Sequence, residues 1–293
     1  MSIFDHTKEL PDQQVKQQSS SLIGFDKKFK RIYTNLKLLL DQEGLATWSE
    51  LHHDCLLPAV THLTDKYPLI ILAGDAGTGK TVTAQAIADT MTRELKKEAH
   101  FLKLSTRVRG EGLHGEMGNL VNNAFQELRN LAGKKKLAFL LIDEADAIAT
   151  TRSTGQMHQE EKAAVNTLIQ KIDEIRELGG RAVVFMSTNR LHFLDEAIVR
   201  RAAIVLEFER PDSEERQKLF AQDLEGLNLT EDQLAELAAL TGPDANDGLG
   251  HSFSDLRLKI QPEAIARCYP ERPLTFAVLK EVINDVKPSP RIK

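Results

Sequence analysis

The stretch Gly74-Asp75-Ala76-Gly77-Thr78-Gly79-Lys80-Thr81 decides the fold. Gly74 and Gly79 bracket four residues and lead into a lysine and a threonine, the spacing of a phosphate-binding loop. Glycine is needed because backbone N–H groups must turn inward around phosphate oxygens, where a Cβ would collide. Lys80 then sets a point charge against β- and γ-phosphates, and the Thr81 hydroxyl completes the shell of a Mg²⁺ ion. Asp75, Ala76, Gly77 and Thr78 form the turn itself, and Val82 continues it. ATP and Mg²⁺ are the expected ligands.

Outward from the loop, the context agrees. Pro68-Leu69-Ile70-Ile71-Leu72-Ala73 is an apolar run of strand length, and Val82, Ala86, Ile87, Met91 and Leu95 recur at helical spacing. Strand, glycine loop and helix in that order point the helix N-terminus at the phosphates. Further apolar runs at 100–105, 137–142, 182–186 and 203–208 read as strands, with helical segments at 118–131 and 159–178 between them. Strands apolar on both faces and alternating with helices imply an α/β fold, a five-stranded parallel sheet between helices.

Leu140-Leu141-Ile142-Asp143-Glu144 delivers two carboxylates at the C-terminal end of a strand, where open α/β sheets bind ligands. Asp143 is expected to hold Mg²⁺, and Glu144 to orient and deprotonate the attacking water. The strand 182–186 ends in Ser187-Thr188-Asn189, which sets a neutral amide beside the γ-phosphate. Arg200 and Arg201 follow a short helix and suit a charge donor to phosphate, arginine fingers if they reach a neighbouring subunit.

The chain has 293 residues, 41% of them hydrophobic, and 43 acidic against 38 basic for a net charge of −5. That balance argues against a protein relying on a general basic surface for nucleic acid, so direct nucleic-acid binding is not expected. No run approaches a membrane span, the first ten residues lack the apolar core of a signal peptide, and two cysteines cannot frame a disulfide scaffold. A cytoplasmic setting is therefore expected. His52 and His53 lie far from His114 in sequence and no cysteines cluster with them, so no metal-ligand spacing is present. Residues 1–24, polar from 11 to 21, read as a flexible arm. A helix is expected from Phe25 to about Trp48, inside a large domain spanning 25–210. After Pro211 the strands stop. Ser213 is expected to cap a helix through Leu227, Thr230 and Gln233 form a capping box, and Thr275 starts a last helix, giving a small all-helical lid over 211–293.

The order of P-loop, Asp-Glu strand, Asn after a strand, paired arginines and helical lid resembles the AAA+ ATPases over residues 25 to 290. Within them the chain looks most like the HORMA-domain remodellers, the Pch-two/thyroid-receptor-interactor group. The carrying residues are Ile172-Asp173-Glu174-Ile175-Arg176, Ser187-Thr188-Asn189, Ala197-Ile198-Val199-Arg200-Arg201-Ala202 and Gly118-Asn119-Leu120-Val121. The resemblance implies a homohexameric unfoldase. It would pull a client, a HORMA-domain protein with an associated nucleotidyltransferase, through its pore and so regulate a CBASS-type anti-phage system. Eukaryotic members carry a separate adaptor-binding domain, so a compact bacterial-type member is expected. The client pore loop falls at Leu113-His114, among Gly110, Gly112 and Gly115, without the family's aromatic pair. Ser252-Phe253-Ser254-Asp255 stand where relatives have a sensor arginine, which either Arg257 replaces or the lid does without. Two rival readings are open. A motor with another client, such as a protease-associated unfoldase or a carboxylase activase, would share every site residue. A nucleotide-switched DNA-binding scaffold would bind DNA in a salt-sensitive way.

Overall fold

The computed structural model describes residues 3–64, 66–104, 116–150 and 159–291. They divide into two compact units: residues 1–20, 25–73 and 81–207 in the first, and 21–24, 74–80 and 208–293 in the second.

The first unit is built on a six-stranded sheet. Strands β1 (Phe4–Leu10), β2 (Leu69–Gly74), β3 (Ala99–Leu104), β4 (Leu137–Ile142), β5 (Ala182–Thr188) and β6 (Ile204–Phe208) lie in the order β1-β3-β4-β5-β2-β6. β3, β4, β5 and β2 pair in parallel, with Leu102 opposite Leu140 and Leu140 opposite Val184. Every residue of β4 and β5 is buried. Covered on both faces, such strands must read as continuous apolar runs, and that is why they are legible in sequence.

The helices are α1 (Gln13–Ser20), α2 (Phe25–Leu40), α3 (Gln42–His53), α4 (Pro58–Thr64), α5 (Lys80–Glu94), α6 (Glu116–Ala132), α7 (Gln159–Glu174) and the short α8 (Glu196–Val199). Leu120, Val121, Ala124, Phe125 and Leu128 of α6 and Val165, Leu168 and Ile172 of α7 join Leu140, Ile142 and Val184 in one core. Each such buried aliphatic side chain is worth about 1.5–3 kcal/mol.

Two expectations are corrected here. Residues 4–20 are not a flexible arm: β1 adds to β3 antiparallel, Thr7 opposite Leu102, with Leu10 buried at its end, and α1 follows with Val15 buried. His6, Lys8 and their neighbours read as polar because an edge strand leaves most of its side chains in water. The Asp12 N–H donates to buried Asp89 of α5 at 2.7 Å, and Arg93 donates to the Asp12 carbonyl at 2.8 Å, so the segment is tied to the loop's own helix. Second, the helix expected from Phe25 to Trp48 is two helices. Asp41 ends α2, and its carboxylate accepts the Gly44 N–H at 3.2 Å, capping α3.

In the second unit α9 (Ser213–Asp223), α10 (Glu231–Leu240), α11 (Phe253–Asp255), a π segment (Leu256–Ile260), α12 (Gln261–Ala266) and α13 (Phe276–Asp285) bury Leu219, Phe220, Leu237, Leu256, Leu279 and Val282 together. The cap of α9 is Asp212 rather than Ser213, because the carboxylate and Glu215 satisfy each other's backbone N–H reciprocally. That helix stops at Asp223, short of Leu227. Thr230 and Gln233 form the capping box read from sequence. Among the described residues no helix is long and apolar enough to cross a membrane.

Candidate functional site

The glycine loop leaves the end of β2 with Gly74 at φ +149°, where a Cβ would lie 2.0 Å from the Phe208 carbonyl oxygen. Gly77 has φ +73°, and a Cβ there would meet Ser252 Oγ at 2.7 Å. Only glycine permits both, so the loop packs its bare backbone directly against Phe208 and Ser252. The Asp75 carbonyl accepts from the Thr78 hydroxyl and from Lys80 Nζ, both at 2.8 Å, and the Gly74 carbonyl accepts from Lys80 at 2.9 Å. Lys80, 8% exposed, thus arches its ammonium over its own loop. Ala76 N–H donates to Asp75 Oδ1 at 2.9 Å, while Gly79, at φ +89°, turns the chain into α5. Val82 is exposed on that helix.

Thr81, the residue after Lys80, belongs to the first unit and meets Asp143 at the end of β4. Its hydroxyl donates to Asp143 Oδ2 at 3.0 Å. Ser187 of β5 donates to Asp143 Oδ1, and Lys103 of β3 places its ammonium 2.8 Å from Oδ2. Burial pushes the Asp143 pKa up, but the Lys103 and Ser187 hydrogen bonds, the Lys103 charge and Thr81 outweigh it and hold the carboxyl below its ordinary range. A carboxylate that favours its ionised form beside a hydroxyl is an all-oxygen donor set suited to a hard divalent cation such as Mg²⁺. Lys103 is missing from the sequence reading. Its signal was a cation inside a strand whose other residues, His100 apart, are apolar.

Glu144 is exposed and has φ +50°, the left-handed region. Holding a non-glycine residue there costs on the order of 1–3 kcal/mol, and such strain clusters at functional sites. Its backbone precedes the turn Ala145–Ala147, one residue beyond Asp143, and its carboxylate makes no capping hydrogen bond to that turn. Thr188, next to Ser187, donates to Asp146 Oδ1 at 2.8 Å, and Asn189 follows at the end of β5. Asp143, Glu144, Ser187 and Asn189 therefore come from the adjacent ends of β4 and β5.

The two arginines part company. Arg201 forms a bidentate pair with Asp173, Nε–Oδ1 2.6 Å and Nη2–Oδ2 3.0 Å, donates to the Ala197 carbonyl and lies over the Tyr67 ring at 5.2 Å. Arg200 projects with 80% of its side chain exposed, in an i,i+4 pair with Glu196 at 3.2 Å. Arg257 is committed elsewhere: it forks onto Asp223 at 2.7 and 2.8 Å. Asp255, in the stretch lacking a sensor arginine, is buried and accepts from Ser252 and Ser289. Leu113 and His114 lie outside the described residues.

A model of the ATPase family associated with various cellular activities (AAA) matches residues 70–210. CD-NTase-associated protein 6 of Escherichia coli (strain KTE188) is 45% identical over 290 residues, covering 99% of this chain and 97% of that protein. A chain of the solved E. coli MS115-1 HORMA:CdnC:Trip13 complex superposes with a TM-score of 0.90 at 36% identity, over 99% of this chain and 97% of that one. The solved Rhizobiales Trip13 superposes at 0.74 and 30% identity, over 98% and 99%.

Proposed function

Because the chain belongs to the AAA ATPases, in the family of the CD-NTase-associated protein 6 chains, we propose that it is an ATP-driven remodeller of a HORMA-domain protein. By releasing HORMA it would regulate an associated nucleotidyltransferase in an anti-phage system. The observation that carries the chemistry is the Thr81–Asp143 pair with Glu144 one residue on. The amides of the 74–80 loop and Lys80 would hold the phosphates of ATP, and Thr81 and Asp143 would hold Mg²⁺. Mg²⁺ bound there supplies charge neutralisation on the phosphoryl oxygens. Glu144 would take a proton from water aligned for in-line attack on the γ-phosphorus, and Asn189 would steady that water or the phosphate without adding charge. ATP and water would yield ADP and phosphate.

Arg200 is our choice for the finger that reaches a neighbouring subunit's ATP, since it is exposed, and Arg201 for the residue that fixes the turn beneath it. A residue acting in trans makes each site a head-to-tail contact, which closes into a ring, here a homohexamer. The paired solved complex, with HORMA and CdnC beside a Trip13 chain, supports the client assignment. A cytoplasmic setting follows from that reading. The test is capture with Glu144→Gln protein, which should bind ATP and stall on its client. Recovery of a HORMA-domain protein, with or without a nucleotidyltransferase, is the expected result. Recovery of a protease or replication proteins instead would overturn the client assignment.

A further inference from the structure

The second position of the phosphate loop is a carboxylate. Asp75 puts a negative charge on a loop expected to hold a polyanion, and like charges a few ångströms apart cost several-fold to tenfold in affinity unless screened. The structure answers with Arg210. Its Nε donates to Asp75 Oδ2 at 2.7 Å, and its side chain is only 8% exposed. Its two other nitrogens go elsewhere in the same compact unit. Nη1 donates to the Gly250 carbonyl and Nη2 to the Ser289 carbonyl, both at 2.7 Å. Every nitrogen of the planar guanidinium fork is used, a rigid geometry that lysine cannot reproduce.

Ser289 is itself fixed. Its hydroxyl donates to buried Asp255 at 2.5 Å, its N–H donates to the same carboxylate at 3.2 Å, and Lys259 Nζ reaches its Oγ at 2.6 Å. Arg291 adds a second cation 3.9 Å from Asp75. The loop is gripped at another point too: the Ser254 N–H donates to the Gly77 carbonyl at 3.0 Å.

Building on the reading that this loop holds ATP, we propose that Arg210 is a positioning residue that cancels the Asp75 charge and straps the phosphate loop to residues 287–291, making ATP affinity depend on that segment. Asp75 is what creates the dependence, so removing its charge removes it. Arg210, with its nitrogens spent on Asp75, Gly250 and Ser289, acts on ATP through Asp75.

The test is titration of a fluorescent ATP analogue (mant-ATP) with Mg²⁺ into the full chain, with thermal melting to confirm folding. Wild type must bind; if it does not, the ATP reading falls and this inference with it. Arg210→Gln should bind about tenfold or more weakly, because Arg291, exposed and 3.9 Å away, leaves most of the Asp75 charge uncancelled beside the bound phosphates. Arg210→Gln combined with Asp75→Asn should return to within about threefold of wild type. A double variant as weak as Arg210→Gln, or an Arg210→Gln protein that binds like wild type, overturns the proposal, since a purely structural arginine is not rescued by a neutral Asp75. Should Arg210→Gln not fold, truncation after Val286 takes its place. Truncation should weaken binding severalfold in the Asp75 protein and leave Asp75→Asn unchanged; equal losses in both overturn the strap.

Discussion

At the scale of single residues, the two arginines make the sharpest contrast. Arg201 is held by Asp173 in charge-assisted hydrogen bonds that keep it protonated, its pKa raised chiefly by that hydrogen bond. Arg201→Ala should therefore lose about 1 kcal/mol of stability, read as a fall of a few degrees in melting temperature. Arg200→Ala touches only an exposed i,i+4 pair and should leave melting and mant-ATP binding unchanged while ATPase turnover falls by about a hundredfold or more. The reverse pattern would make Arg201 the finger. Lys103 is a cation already seated on Asp143. Lys103→Met removes that competitor, so half-maximal ATPase activity should need several-fold less Mg²⁺; a higher requirement would make Lys103 an aid to the phosphates rather than a rival to the metal.

At the scale of elements, two attachments matter. The β1–α1 segment hangs on Asp89, which is 2% exposed and takes the Asp12 N–H and the Arg93 guanidinium. Asp89→Ala would strand both donors and should cost about 2 kcal/mol, with faster amide exchange confined first to residues 4–10. In the helical unit Asp255 carries a pH signature. Burial alone would raise its pKa, yet Lys259, Ser289 and Ser252 bind the ionised form and hold it far below the value of 3.8. A carboxyl depressed on folding stabilises the folded state above pH 3.8 and loses that contribution as pH falls further. Wild type and Asp255→Asn should thus differ in melting temperature at pH 7, and the gap should narrow steadily below about pH 4. A pH-independent gap would mean the carboxylate acts by shape alone.

At the scale of the whole molecule, the proposed trans arginine ties catalysis to assembly. Glu144→Gln protein with ATP should run as a hexamer by light scattering, and Arg200→Ala should show that assembly without turnover. Persistently monomeric Glu144→Gln protein would remove the finger from the mechanism.

The phosphate loop, the Asp143–Glu144 strand end and the central strands were legible in the chain because their chemistry is local. A glycine turn needs glycine wherever it occurs, and a strand buried on both faces, such as β4, must be apolar throughout. Thr230 with Gln233 marked its helix for the same reason. What escaped was set by groups distant in sequence. β1 became a strand only because β3 offered an open edge, and no pattern within residues 4–10 reveals a partner at 99–104. Asp41 broke one expected helix into two by reaching its own backbone, a choice that propensity leaves open. Lys103 on Asp143, Asp173 on Arg201 and Arg210 on Asp75 are pairings across 40, 28 and 135 residues of chain. Sequence by itself singled out the glycine loop and the Asp143–Glu144 strand end as candidates for a triphosphate; tertiary structure decided which of their charges are already paired, because only the fold brings each ion its counter-ion.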